Sequence, residues 1–182
     1  MINRFSSRWH LFSPGARASA TEMAALADKS TMAVNLLDVG PGKPRREQSM
    51  SYMAWTDKMS SYKTLDINQY LYPDYLRDIT KHTGIPDNSF DVVVCCDVLE
   101  HLFDFKGALK EMHRICRGML VINIPFVCAF HEYPNDFWRI SYTAMEKLLA
   151  DWEHVETRPI YDGNSTWAIA TDNPKFHEVF FK

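Results

Sequence analysis

The sequence predicts a single α/β domain built on a doubly wound sheet, and three observations carry that expectation. Short apolar runs alternate with segments whose apolar residues recur at helical spacing. Those runs are apolar on both faces, as strands of a parallel sheet are. The last two runs are joined by a turn, so the sheet ends in a hairpin. At 182 residues, 46% hydrophobic, the chain is long enough for one filled domain and short for two. Residues 1–32 read as an N-terminal arm with a short helix, and residues 33–182 as the domain proper.

The elements follow in order. TEMAALADKS, residues 21–30, begins with a Thr cap and reads as a short helix. AVNLLDVG, Ala33 to Gly40, is a buried strand ending in an acid and a glycine. Residues 43–60 are polar, and any helix there is weak or late. YKTLDI, 62–67, is a second short strand, and a third is expected to end near Asp78. Phe90 to Cys96 is β-branched and apolar, a central strand. After Asp97 the spacing of Leu99, Leu102, Phe105, Leu109, Met112 and Ile115 turns helical, and Gly118 is expected to stop that helix. MLVINIP is the next buried strand. SYTAMEKLLADW is an amphipathic helix capped by Ser141 or Thr143. HVETRPIYD and TWAIATD are two strands around the turn DGNS.

Composition sets limits on function. The formal net charge is -3, with 24% charged residues, so no basic excess suits a nucleic-acid backbone. No apolar run approaches a membrane-spanning length. Cys95 and Cys96 are adjacent within a strand and point to opposite faces. With Cys116 and Cys128 they make neither a disulfide framework nor zinc spacing, which predicts reduced thiols and a cytoplasmic protein. The first twenty residues hold three arginines and no acid. They lack the apolar core of a secretory signal, and a basic arm lying on the domain is favoured over an organellar transit peptide.

The chemistry concentrates at LLDVGPG. Asp38 ends the first strand, and Gly40 and Gly42 make a tight turn where backbone approaches a ligand closely. A dinucleotide site needs a third glycine and a helix N-terminus open to the pyrophosphate. Here Arg45 stands at that glycine position and Pro44 removes an N–H donor, which disfavours NAD or FAD. S-adenosylmethionine carries no phosphate and needs only close backbone approach with an acid near its ammonium group. Asp66 ends the second strand, where a carboxylate accepts both ribose hydroxyls. Asp78 is placed to accept from an adenine amino group. Lys43 to Arg46 read as a solvated basic turn, or as a clamp for an anionic substrate.

LLDVGPG, TLDIN, IPDNSFDVVVCCDVLEHL and GMLVINIPF resemble, in that order, the motifs of class I S-adenosylmethionine-dependent methyltransferases, most nearly the type 11 group. The resemblance implies a Rossmann-like, mostly parallel seven-stranded sheet with its last strand antiparallel. It implies S-adenosyl-L-methionine at the C-terminal edge of the strands. Asp38, Gly40 and Gly42 would hold its methionine part and Asp66 the ribose. Asp78 and Ile79 would hold the adenine, with Cys96 and Asp97 lining the pocket. The sequence departs from the pattern in two places. The glycine turn runs into KPRR, so the first helix is expected to be displaced or shortened. About ten residues separate Asp66 from the third strand, too few for an ordinary crossover. That crossover has therefore lost its helix, or the third strand is vestigial.

FHEYPNDFWRISY, residues 130–142, follows the fifth strand at the edge where ligand crevices lie. A related string occurs in type 11-like methyltransferases. His131, Glu132 and Asp136 are the candidate catalytic residues, His131 first because imidazole titrates near neutrality. Asp136 and Arg139 are also expected to pair and hold the loop. Tyr133, Trp138 and Arg139, with His101 from LEHL, are candidates for the substrate side. His101 reads equally as a packed, hydrogen-bonded histidine, and Glu100 as a first-turn acid favourable to the helix dipole. His131, Glu132 and Asp136 sit on a loop without a ligand-bearing scaffold, so no metal site is expected. The expected acceptor is a small molecule, sugar-like or lipid-like, with nucleic acid disfavoured. CCDVLEH is not the Asp/Asn-Pro-Pro-aromatic motif of amino-group base methyltransferases, and no Pro-Cys motif appears. Without a separate substrate domain, acceptor recognition falls to loops, to the N-terminal arm, or to a second subunit in a homodimer. A non-catalytic methyltransferase-fold scaffold is the competing expectation.

Overall fold

The computed structural model describes residues 14–43, 49–131 and 134–181. The arm before Pro14, most of the KPRR turn, and Glu132 with Tyr133 lie outside the described residues. The described elements are α1 (Pro14–Lys29), β1 (Val34–Val39), α2 (Met50–Trp55), β2 (Met59–Asp66), β3 (Tyr75–Leu76), β4 (Phe90–Cys96), α3 (Phe105–Ile115), β5 (Cys116–Pro125), α4 (Tyr142–Leu148), β6 (His154–Ile160), β7 (Ser165–Thr171) and α5 (Pro174–Phe180). The seven strands form one sheet in the order β3-β2-β1-β4-β5-β7-β6. Pairing is parallel from β3 through β5, and β7 runs antiparallel to both of its neighbours. No helix among the described residues is long and apolar enough to cross a membrane.

The period-two rule divides the sheet into two cores. Leu37, Val39, Val93, Cys95, Leu120 and Ile122 point to the face covered by α3 and α4. Leu36, Val92, Val94, Met119 and Val121 point to the other, against α1, α2 and α5. Strands buried on both sides in this way must read as unbroken apolar runs, which is why β4 occupies the expected residues 90–96.

The elements differ from expectation where tertiary contacts override local signals. The first helix starts at Pro14, and Thr21 is inside it, its hydroxyl donating back to the Arg17 carbonyl at 2.9 Å rather than capping. Met23, Leu26 and Ala27 of this helix join the second core. The helix after the glycine turn is the six-residue α2, capped by Ser49, so it is shortened. Only a 3-10 turn, Gln69–Leu71, connects β2 to the two-residue β3, so the crossover has lost its helix and the strand is a remnant. Helical residues 99–115 are split. A 3-10 turn spans Leu99–His101, and α3 begins only after Asp104, whose side chain accepts from the Gly107 amide.

Gly118 does not stop α3; it lies inside β5. A Cβ there would stand 2.1 Å from the Asp91 carbonyl and 2.7 Å from the Phe176 ring. The glycine is required by packing between β4, β5 and α5, and not by a chain reversal. Helix α5 was not foreseen, although Asn173 followed by Pro174 is a recognisable start: Asn173 caps it and proline occupies the first turn.

Candidate functional site

The sheet order reverses direction at β1, with β2 on one side and β4 on the other, and crevices form outside the strand ends at such a switch point. Gly40 follows β1 with φ +65°, its amide donating to the Leu65 carbonyl at 2.9 Å. A Cβ on it would stand 2.5 Å from a methyl of Val98, so the turn packs directly on the segment leaving β4. Gly42 also has positive φ, at +62°, but no described residue lies within 4 Å of its missing Cβ. One glycine closes the turn and the next leaves its backbone open.

Asp38 is buried at 3% exposure, and its Oδ2 accepts from the hydroxyls of Ser49 and Tyr62, each at 2.5 Å. Burial pushes its carboxyl up to about 6, against the opposing pull of those hydroxyls, so it is mostly ionised at neutral pH. The carboxylate thus ties the end of β1 to the start of α2 and to β2. Asp66, at the tip of β2, is half-buried and accepts from the Asn68 amide at 2.8 Å; burial raises its carboxyl. Asp78 turns inward on its own loop, its Oδ1 accepting from the amide and the hydroxyl of Thr80 at 2.9 and 2.8 Å. Ile79 is buried at 4% and belongs to the core under α3. Cys96 ends β4, and burial pushes its thiol and that of Cys95 well up, so both stay protonated. Asp97 follows with φ +55°, accepting from the Asn123 side-chain amide at 2.7 Å.

The glycine turn, Asp66 and the ends of β4 and β5 therefore share one edge, while Asp78 bonds to Thr80 on its own loop through one oxygen and Ile79 packs into the core. The edge suits a cofactor with a nucleoside and a polar tail. No described residue covers the Cα of Gly42, Asp66 presents a half-buried carboxylate, and the buried Asn123 Oδ1 has no hydrogen-bond partner among the described residues.

Residues 134–141, after β5, are stapled across this edge onto the segment leaving β4. The Phe137 amide donates to the Glu100 carbonyl at 2.7 Å, and the Trp138 indole donates to the Leu102 carbonyl at 3.0 Å. His101 donates through Nδ1 to the Asn135 carbonyl. Trp138 packs edge-on against Phe105, with ring centroids 5.2 Å apart, so it plugs the start of α3. Asp136 holds the loop together. Both its oxygens take the Arg139 guanidinium, and Oδ2 also accepts from the His131 amide at 2.9 Å and from His131 Nδ1 at 2.8 Å. Arg139, followed by His131, keeps the Asp136 carboxyl well below the usual carboxylate range. The expected Asp136–Arg139 pair is present, and it orients His131.

Glu100 was missed as a site residue. It is not a solvent-facing first-turn acid, because α3 starts five residues later and the 3-10 turn carries Glu100 inward. Its side chain is 1% exposed, and neither carboxylate oxygen has a partner among the described residues. Burial, then Asp97 nearby, pushes its carboxyl up to about 8. The signal was unreadable in sequence because the covering residues, Asn135 to Phe137, lie about 35 positions away.

A family model described as a methyltransferase domain, of the type 11 group, matches residues 37–121. No curated protein matches the chain. Among solved structures, the chain is similar to one from a complex between the Haloferax volcanii Trm112 methyltransferase activator and a methyltransferase, at TM-score 0.63, 16% identity and coverage of 85% of this chain and 88% of that one. It is similar to Burkholderia thailandensis 1,6-didemethyltoxoflavin-N1-methyltransferase, solved with its substrate and S-adenosylhomocysteine, at TM-score 0.60 and 12% identity, covering 84% and 76%. A SAM-dependent methyltransferase from Aquifex aeolicus aligns at TM-score 0.58 and 16% identity, covering 91% and 96%.

Proposed function

We propose, from the methyltransferase-domain match over residues 37–121 and the class I methyltransferase fold, that the chain transfers a methyl group from S-adenosyl-L-methionine to a small-molecule acceptor. The observation that carries the reading is the shared edge: an open glycine backbone and the Asp66 carboxylate beside a cluster of Glu100, His101 and His131. Bound S-adenosylmethionine supplies a methyl group on a sulfonium, already activated towards in-line displacement.

The protein's part is then chiefly alignment, for which positioning offers up to about 7–11 kcal/mol. Gly42 admits the cofactor backbone-first, and Asp66 accepts the ribose hydroxyls. Asp38 acts through the turn, holding Gly40 and α2 in register. Asp78 and Ile79 shape the adenine side from behind it. Asp97 and Cys96 line the floor. On the acceptor side, the Nδ1–H of His131 donates to Asp136, which leaves the lone pair on Nε2. Asp136 is a positioning residue, and Arg139 holds it. Phe103, Phe130 and Phe137, all exposed on this rim, give the acceptor an apolar wall, which suits a small organic molecule or a lipid-like one.

Incubation with methyl-labelled S-adenosylmethionine and a whole-cell extract tests the acceptor class. Label is expected in the low-molecular-weight fraction. Label entering protein or nucleic acid instead would overturn the small-molecule reading.

A further inference from the structure

We propose that Glu100, His101 and His131 form a divalent-cation site at the acceptor side of this edge, and that the cation holds a hydroxyl-bearing acceptor by its oxygen. The role given to the cation rests on the methyl-transfer reading; the existence of the site does not.

Four observations converge. First, the three residues each offer a ligand atom, and these atoms all lie within 4.8 Å of one another. Glu100 Oε1 and His101 Nε2 stand 3.8 Å apart. Ligands about 2.0–2.2 Å from a cation sit about 3–3.5 Å from each other, so a few tenths of an ångström of closure complete that pair.

Second, the Glu100 carboxylate is almost fully enclosed and makes no hydrogen bond among the described residues. A buried carboxylate is ordinarily paired or bound to a metal, because desolvating it alone costs several kcal/mol. The described groups offer it the two imidazoles as neighbouring ligand atoms, with the Arg139 guanidinium also within electrostatic reach.

Third, both histidines are held in the same tautomer. A carbonyl oxygen only accepts, so the bond from His101 to Asn135 fixes the proton on Nδ1. The bond from His131 to the Asp136 carboxylate does the same at 2.8 Å. Each ring is left with its lone pair on Nε2. Fixing an imidazole through its other nitrogen, by a carbonyl or a carboxylate, is how metal-binding histidines are oriented. Fourth, Asp97 lies within electrostatic reach of both histidines and adds negative charge beside the cluster.

These features favour a cation over a proton. A general base needs one imidazole and gains nothing from a second lone pair or from an unpartnered carboxylate. Two imidazoles and a carboxylate suit Zn2+, Fe2+, Mn2+ or Co2+ better than Mg2+ or Ca2+, and three protein ligands leave a position open. An acceptor hydroxyl bound there becomes more acidic, as metal-bound water does. Its O–H releases the proton to solvent. The oxygen–methyl bond forms as the sulfur–methyl bond breaks, and the electron pair stays on sulfur in S-adenosylhomocysteine.

The test is a Co2+ titration of the chelator-treated full chain, followed by visible absorption, in a Cys128→Ser background that removes the exposed thiol. One equivalent is expected to bind. Glu100→Gln and His131→Ala should each weaken it at least tenfold while circular dichroism stays unchanged. His131 lies on an exposed loop, so its variant reads the site even if Glu100→Gln disturbs folding. Absence of saturable binding, or binding that neither substitution weakens, overturns the proposal. S-adenosylhomocysteine binding to the same metal-free sample separates the two readings. Cofactor binding without Co2+ removes the cation site alone. Co2+ binding without cofactor binding leaves the site standing and removes methyl transfer.

Discussion

His131→Ala is expected to lower turnover by about 10²–10⁴-fold while S-adenosylhomocysteine affinity stays within about threefold. The asymmetry follows from position. His131 belongs to the loop after β5, across the edge from the glycine turn, and its only bond among those described is to Asp136. Removing the ring takes a lone pair from the acceptor side and leaves Gly40, Gly42 and Asp66 untouched. The loop itself should hold, because Asp136 keeps the Arg139 guanidinium and the residue-131 amide. Single-turnover rates and calorimetric affinities measured on the same preparation check this. Equal loss in both, or loss in neither, would remove His131 from the acceptor side.

Gly40→Ala should destabilise the fold more than Gly42→Ala does. Both glycines sit at positive φ, so either alanine meets the left-handed penalty of about 1–2 kcal/mol. Only at position 40 does the new methyl also collide, 2.5 Å from Val98. Val98 packs against the core under α3 and is stiff at χ1, so it yields little. Overpacking of this kind adds about 1–3 kcal/mol. Gly40→Ala should therefore lower Tm by about 5–15 °C, at about 2–4 °C per kcal/mol for a domain of this size. Thermal unfolding of the two variants side by side is the check. Similar melting points would mean that the Gly40–Val98 contact does not constrain the turn.

What was legible in sequence, and what was not, divides on the distance over which the signal acts. Strands β1, β4 and β5 are buried on both faces, so composition alone marks them, and the antiparallel hairpin is marked by its turn. The shortened α2 followed from Pro44 and the missing third glycine. The lost crossover helix followed from simple chain length. Gly118 misled because a glycine after a helical run looks like a stop, while its real constraint is the Asp91 carbonyl on a neighbouring strand. In the site, the aromatic loop announced itself and the Asp136–Arg139 pair was foreseeable at a spacing of three. Glu100 was not. Its burial depends on Asn135 and Phe137 arriving from the far side of β5, which no local pattern encodes. The same cause hid the cluster. Two members of the proposed cluster, Glu100 and His101, come from the turn after β4 and only His131 from the loop.

The central claim is that the edge formed by Gly40, Gly42 and Asp66 holds S-adenosylmethionine. Calorimetric titration of the full chain with S-adenosylhomocysteine tests it most directly, since product binding needs neither an acceptor nor turnover. The account predicts saturable binding at one equivalent, weakened at least tenfold by Asp66→Ala in a protein that still folds. Absence of saturable binding, or affinity indifferent to Asp66, would contradict it.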